Sequence, residues 1–163
     1  MLNALQGLDL SSIIIQVNIA GYEIKEIEAI LDRLNFEVAQ TFRQKGEEAI
    51  AQVQDGMDIS LVSFDTESKT LEYAGAFNPL YLVRDGKIIE TKGNRFAIGS
   101  YKDGEEKQFN NHKFDLKNGD SIYIFTDGYV DQFGGPKGKK FMAKRLRETL
   151  IEINNLSMEN QGE

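Results

Sequence analysis

Ile122-Tyr123-Ile124-Phe125-Thr126-Asp127-Gly128-Tyr129-Val130-Asp131 is the stretch of sequence that decides the fold. Its first four residues are all apolar, so the pattern predicts a strand over residues 121–125 that is covered on both faces of its sheet. Asp127 and Gly128 follow this strand closely. Such a strand holds the Asp127 carboxylate at the edge of a rigid sheet, and Gly128 lets the backbone turn sharply beside a hard cation. The alternative is a simple strand-ending turn in which Asp127 caps a helix.

The region upstream of this stretch contains short β-type runs separated by turn signals. Asp65-Thr66-Glu67-Ser68 is one such turn, and Arg84-Asp85-Gly86-Lys87 is a hairpin signal because Asp-Gly readily adopts the positive φ angles of tight turns. The predicted strands are residues 57–64, 70–74, 80–83, 88–91 and 107–116. Their order predicts a meander of antiparallel strands.

Two amphipathic helices are predicted on either side of the strands. Residues 22–43 place an apolar side chain at every third or fourth position, and residues 140–153 repeat this pattern. The apolar positions are Ile24, Ile27, Leu31, Leu34, Val38 and Phe42 in the first helix, and Phe141, Leu146, Leu150 and Ile153 in the second. The predicted fold class is α+β, with antiparallel β-sheets layered with amphipathic helices in a single domain over residues 1–163.

Composition excludes several classes of protein. The 163 residues include no Cys and one His, which rules out disulfides, a thiolate nucleophile and Cys- or His-rich metal sites. The net charge of −7 argues against nucleic-acid binding. The longest apolar run, residues 13–17, is far below the ~20 residues that cross a bilayer, and the N-terminus lacks the basic start of a signal peptide. We therefore expect a cytoplasmic protein, and we expect residues 1–163 to make no contact with a membrane.

A second acidic motif is Gln54-Asp55-Gly56-Met57-Asp58-Ile59-Ser60. Its two carboxylates, Asp55 and Asp58, have the chemistry to join a metal cluster or to orient the water molecules around it. An Asx turn at a strand edge is the more common use of such residues. Asn78, before Pro79, fixes an extended start to the next strand and is a further polar candidate near the site.

A basic cluster follows the Gly134-Gly135-Pro136 loop. It comprises Lys137, Lys139, Lys140, Lys144, Arg145 and Arg147. A solvated helix face is the simplest interpretation, and contact with a phosphorylated or acidic partner is the alternative.

Four motifs in sequence order carry a resemblance to a known family. They are Asp55-Gly56-Met57-Asp58-Ile59-Ser60, Leu71-Glu72-Tyr73-Ala74-Gly75-Ala76-Phe77-Asn78-Pro79, Phe96-Ala97-Ile98-Gly99 and Phe125-Thr126-Asp127-Gly128-Tyr129-Val130-Asp131-Gln132-Phe133-Gly134-Gly135. Together they resemble the metal-dependent PPM-type protein serine/threonine phosphatases that include sporulation stage II protein E. The resemblance covers residues 28–158 and implies an α-β-β-α sandwich that binds two Mn²⁺ or Mg²⁺ ions, which activate a water molecule for attack on phosphoserine or phosphothreonine.

The resemblance also assigns roles to individual residues. It implies that Asp127 and Gly128 bind metal and that Asp131 is a catalytic acidic residue near it. Two departures stand out: the family's Asp and Gly-His-Gly motif would precede Met1, and its C-terminal Asp pair would follow Glu163. The chain is therefore expected to be a domain truncated at both ends, with weak metal binding, impaired catalysis and bare sheet edges that favour homodimerisation. Phe77 also stands where the family often has His.

The functional expectation is hydrolysis of phosphate from a phosphoprotein substrate in bacterial signalling, which the resemblance suggests is an anti-sigma-factor antagonist. The alternative is a catalytically inactive, phosphatase-like module that binds a partner or regulates it. A purely structural fragment is the third interpretation.

Overall fold

The computed structural model describes residues 3–4, 26–44, 56–99, 107–134 and 138–161. These residues form strands β1 to β9 and helices α1 to α4. The strands are β1 (Asn3–Ala4), β2 (Ile59–Asp65), β3 (Thr70–Ala76), β4 (Leu80–Arg84), β5 (Lys87–Thr91), β6 (His112–Asp115), β7 (Ser121–Ile124), β8 (Phe133–Gly134) and β9 (Lys139–Lys140). The helices are α1 (Ile27–Gln44), α2 (Asp127–Val130), α3 (Met142–Ile153) and α4 (Met158–Gln161).

The larger strands form two antiparallel sheets. One sheet has the order β1-β7-β4-β5 and the other has the order β2-β3-β6, while β8 and β9 form a separate hairpin. The predicted meander is therefore wrong in its connectivity, because from β3 onward the chain crosses between the two sheets three times: between β3 and β4, between β5 and β6, and between β6 and β7. The Asn78-Pro79 connection makes the first of these crossings.

The two sheets pack face to face, and a helix covers each outer face. Between the sheets, Leu71 and Tyr73 of β3 join a buried cluster with Leu80 and Leu82 of β4 and Ile122 of β7. Two further clusters hold the outer helices: α1 packs Ile27 and Leu31 against Ala74 and Ala76, and α3 packs Leu146 and Leu150 against Tyr81, Val83 and Tyr123. This α-β-β-α arrangement confirms the predicted α+β class.

The strand that decides the fold is confirmed as covered on both faces. Ile122 points into the layer between the sheets, whereas Tyr123 belongs to the cluster under α3. Both side chains are buried. In the part of the chain that the structure describes, no helix combines the length and the apolar character needed to span a membrane.

The predicted strand over residues 107–116 is shorter than expected. Pairing with β3 ends at the Tyr73–His112 pair. Beyond it, the backbone N–H of Phe109 donates to the Asp32 carboxylate at 2.8 Å, and that of Asn110 donates to the Asn94 side-chain oxygen at 3.0 Å. Side-chain acceptors here take the place of hydrogen bonds to a neighbouring strand, so residues 107–111 form a loop that leads into β6. Helix α1 is observed from Ile27, and residues 22–25 of its prediction lie outside the described residues.

Two backbone segments pack tightly against each other at Gly93, and this contact gives a first prediction. A Cβ atom added to Gly93 would lie 2.8 Å from the carbonyl oxygen of Gly75 and 3.2 Å from that of Asn78. Because backbone atoms have little freedom to move away, we expect Gly93→Ala to lower the free energy of unfolding by about 1–3 kcal/mol in urea denaturation. Gly134→Ala is the matched control, since nothing lies within 4 Å of its added Cβ. Equal stability of the two variants would contradict the close packing at Gly93.

Candidate functional site

The Asp127 carboxylate lies at the exposed end of the central strand β7. That strand ends at Ile124, and α2 begins with Asp127 itself. Thr126 occupies the N-cap position of α2, so Asp127 is the first helical residue and not the cap. The Asp127 carbonyl oxygen accepts a hydrogen bond from the Asp131 backbone N–H at 2.9 Å, which closes the turn. Asp127 and Gly128 are both exposed, so a rigid, buried strand presents the carboxylate to solvent.

Asp58 is the acidic group that the fold brings into the electrostatic range of Asp127. It lies just before β2, in the other sheet, and is largely exposed. Partial desolvation raises the pKa of the Asp58 carboxyl above its ordinary value, and the negative charge of Asp127 raises it further. Two carboxylates that repel each other at an exposed sheet end are the arrangement that a divalent cation would neutralise. We call Asp58 and Asp127 the acidic pair.

The chemistry of the acidic pair fits Mg²⁺ or Mn²⁺. Both ions prefer hard oxygen donors, and Mg²⁺ commonly binds through one or two carboxylates while it keeps several waters. Among the residues that the structure describes, no group of three or more His, Cys, Asp and Glu side chains is placed to hold a metal. The described residues therefore provide two carboxylates for such a site.

Asp131 is directed towards the β8–β9 hairpin. Its carboxylate forms an ion pair with the Lys140 ammonium at 2.7 Å, and about half of its side chain is exposed. This contact joins the end of α2 to β9. The sequence alone did not predict this ion pair, because Asp131 and Lys140 are nine positions apart and meet only when β8 and β9 pair. The opposite charges of Asp131 and the basic cluster were the one feature of the sequence that could have suggested it.

Asn78 is buried, and its backbone carbonyl organises the crossing between the sheets. That oxygen accepts hydrogen bonds from the Tyr73 hydroxyl at 2.6 Å and from the Ser60 hydroxyl at 3.1 Å. Burial raises the pKa of Tyr73 to about 12, so this hydroxyl stays protonated and donates at all physiological pH values. Because Ser60 is two residues beyond Asp58, these bonds anchor the start of β2. Asp55, the other predicted acidic residue, lies outside the described residues.

Phe77 lies at the same end of the sandwich as Asp58. The register pairs Ile59 with Ala76, so the residues that precede and follow them, Asp58 and Phe77, emerge side by side from β2 and β3. Phe77 has a φ angle of 57°, in the left-handed region, and is 50% exposed. Its backbone N–H donates to the Asn94 carbonyl at 2.9 Å, which helps to hold this conformation.

Comparisons with known proteins found similar solved structures. Among solved structures, the chain is similar to the SiaA-PP2C domain of Pseudomonas aeruginosa, with 31% sequence identity, a TM-score of 0.65, and coverage of 83% of this chain and 50% of that chain. It also matches the phosphatase domain of the cell fate determinant SpoIIE from Bacillus subtilis (Mn presoaked), with 13% identity, a TM-score of 0.44, and coverage of 82% of this chain and 59% of that chain. The chain thus spans about half the length of the first of these structures.

Comparison with curated proteins gave no match. The model of the stage II sporulation protein E (SpoIIE) family matches residues 5–162, which is nearly the whole chain. The described fold, with its two packed sheets and outer helices, is consistent with that match. This chain belongs to the stage II sporulation protein E family.

Proposed function

We propose that this chain is part of a metal-dependent phosphatase that removes phosphate from serine or threonine of a protein partner. The observation that carries the proposal is the acidic pair, two exposed carboxylates that opposite sheets bring within electrostatic range of each other. Membership of the SpoIIE family and the similarity to the SiaA-PP2C domain support the same chemistry. We further propose that residues 1–163 form a single, partial phosphatase-like domain.

Each residue of the site has a proposed role. Asp127 and Asp58 hold a divalent cation, Mn²⁺ or Mg²⁺, and exposed Gly128 leaves room beside it for the cation's waters and the phosphate. When bound, such ions lower the pKa of water and neutralise the charge that builds on the phosphoryl oxygens. This chemistry needs no nucleophilic side chain, in agreement with the absence of Cys. Asp131, held by Lys140, keeps the β8–β9 hairpin next to the site and acts as an acidic group beside it.

The setting of the reaction is also a proposal. A cytoplasmic phosphoprotein of bacterial signalling, such as an anti-sigma-factor antagonist, is the proposed substrate. Edge strands offer a route to homodimers: β5 lies at the edge of its sheet within the described residues, with Lys87, Ile89 and Glu90 exposed.

A second candidate function is that of an inactive, phosphatase-like binding module. The observation in its favour is that the described residues bring two carboxylates, and no third metal-binding side chain, to the site. Two carboxylates alone hold Mg²⁺ or Mn²⁺ weakly. Under this candidate, the acidic pair would be retained without turnover.

Hydrolysis of a phosphoserine peptide separates the two candidates. With Mn²⁺ at millimolar concentration, we expect release of inorganic phosphate that stops when EDTA is added and that is slower with the matching phosphotyrosine peptide. Phosphate release is measured by a colorimetric assay. Failure to release phosphate from any peptide while Mn²⁺ still binds would favour the inactive module, and a rate unaffected by EDTA would contradict metal-dependent chemistry.

A further inference from the structure

A groove next to the acidic pair is not used by the proposed chemistry. It has a volume of about 230 Å³ and lies between α2, the β8–β9 hairpin and the start of α3. Its lining includes Tyr129, Phe133, Lys139, Phe141 and Arg145. We call it the hairpin groove. Tyr129 in the lining is two residues after Asp127 on the same short helix, so the backbone of the groove wall lies about 3 Å from that of Asp127 along the helix axis.

Several contacts hold the hairpin groove in shape. The ring of Tyr129 packs edge-on against that of Phe141, with centroids 5.7 Å apart. The Phe141 backbone N–H donates to the Gln132 carbonyl at 2.8 Å, and the Asp131–Lys140 ion pair ties the end of α2 to β9. The walls are therefore fixed by the protein's own contacts, as in binding sites that exist before the ligand arrives.

One wall of the groove is an exposed aromatic side chain. Phe133 is 77% exposed, the largest value among the exposed large hydrophobic side chains of the described residues. Leaving an aromatic ring in water forgoes the stabilisation that burial provides. An exposed ring beside a groove is typical of a contact site for an apolar side chain of another molecule.

The charge of the groove is opposite to that of the protein. Lys139 and Arg145 are exposed, and within the described residues neither forms an ion pair with a carboxylate. The guanidinium of Arg145 lies 5.4 Å from the centre of the Phe141 ring, which orients it at the groove. The chain as a whole carries a formal charge of −7, so a local cationic patch next to the acidic pair is well placed to attract an anionic segment.

We infer that the hairpin groove binds an acidic segment of the protein substrate that flanks the phosphorylated residue, a specificity that rests on the proposed function. Carboxylates of this segment meet Lys139 and Arg145, and an apolar side chain packs on Phe133. An extended peptide advances about 3.3 Å per residue, so residues about two to four positions from the phosphorylated one reach the groove when the phosphate lies at the acidic pair. Local acidity next to the phosphorylated residue then distinguishes substrates from other phosphoproteins.

The test measures binding of an unphosphorylated, fluorescein-labelled peptide that carries Glu and Asp on both sides of a Leu. Fluorescence anisotropy at low salt is the readout. We expect Lys139→Glu to weaken binding about fivefold, and Phe133→Ser to weaken it by a similar factor. Lys87→Glu is the matched control, because Lys87 is also an exposed lysine but lies on β5, outside the groove, and its change should alter affinity less than about twofold.

Three outcomes of the peptide-binding assay would overturn the inference. They are no saturable binding of the peptide, equal weakening by Lys139→Glu and Lys87→Glu, or binding of a basic peptide as tight as that of the acidic one. Loss of a dimer in Phe133→Ser, with peptide binding unchanged, would also overturn it by assigning the ring to a contact between copies of the chain. Since the probe has no phosphate and needs no metal, its binding is independent of catalysis. Absence of phosphopeptide hydrolysis would then count against the proposed function alone.

Discussion

Asp127→Asn is expected to lower the affinity for Mn²⁺ and any Mn²⁺-dependent hydrolysis of p-nitrophenyl phosphate by about 100-fold or more, while the protein stays folded. The Asn side chain keeps the size of Asp but loses the charge that pairs with the cation. Asp127 lies at the start of α2 and is exposed, so no core packing depends on it. Isothermal titration calorimetry measures the Mn²⁺ affinity, and circular dichroism checks the fold.

Asp58→Asn should also lower the affinity for Mn²⁺ and the Mn²⁺-dependent hydrolysis, but by a smaller factor, about tenfold. Asp115→Asn is the matched control, since it removes one exposed carboxylate from the end of β6, at a distance from the acidic pair. Unchanged Mn²⁺ affinity in Asp127→Asn would remove the acidic pair as the metal site. Tight binding at two sites in the unaltered chain would show that residues beyond the acidic pair supply ligands.

Titration of the Asp58 carboxyl tests, without any metal, whether Asp58 and Asp127 lie close enough to interact. Because Asp127 is one of the two causes that raise the pKa of Asp58, Asp127→Asn should move that pKa back towards its ordinary value, with the part due to burial remaining. A raised carboxyl pKa contributes stability that is present below the ordinary pKa and is lost as the pH rises through the raised value. Relief of this repulsion at neutral pH means that Asp127→Asn should not destabilise the fold. Carboxyl ¹³C NMR measures the shift of Asp58.

The layers of this fold were predictable because each depends on a local pattern. Alternation along β7 sends Ile122 between the sheets and Tyr123 under α3, and the continuous apolar run in the sequence is sufficient to predict that both faces of the strand are covered. The stripe of Leu146 and Leu150 likewise predicts the buried face of α3. Turn chemistry was equally local: the Asp65 carboxylate accepts backbone hydrogen bonds from Glu67 and Ser68, as expected for an Asx turn.

Long-range features were less predictable. The electrostatic interaction between Asp58 and Asp127 depends on how the two sheets pack. These residues are far apart in the sequence, and their spacing does not predict that they lie near each other. The same holds for residues 107–111, where Asp32 from α1 captures the Phe109 amide and ends the strand early. Strand propensity describes only the local sequence, so it cannot predict that a side chain of a helix in another layer accepts the hydrogen bond of a residue in the predicted strand.

The end of the sandwich opposite the acidic pair depends on a partly buried ion pair. The guanidinium of Arg84 donates from Nε to one oxygen of Asp120 at 2.9 Å and from Nη2 to the other at 2.6 Å. Nη2 also donates to the Asp115 carbonyl at 2.8 Å, and the Lys117 backbone N–H donates to Asp120 at 2.8 Å. The Asp120 side chain is only 4% exposed. The turn between β6 and β7 is thereby attached to the end of β4.

Asp120→Asn is therefore expected to lower the free energy of unfolding by about 2–3 kcal/mol at neutral pH, because Arg84 loses its two-point partner in a poorly solvated site. The Arg84 hydrogen bonds hold the pKa of Asp120 below its ordinary value, and the Lys117 amide lowers it further. A lowered pKa gives stability that is present above the unfolded-state pKa and is lost as the pH falls through the folded-state value.

The difference between the unaltered chain and Asp120→Asn should therefore be largest at neutral pH and shrink in acid. Urea denaturation at pH 7 and near pH 3 measures it. Asp115→Asn is again the control: it keeps the backbone carbonyl that accepts from Arg84 and should change stability by less than about 0.5 kcal/mol. A stability difference that stayed constant into acid would show that Asp120 acts through packing, and that its charge contributes nothing to holding this end of the sandwich together.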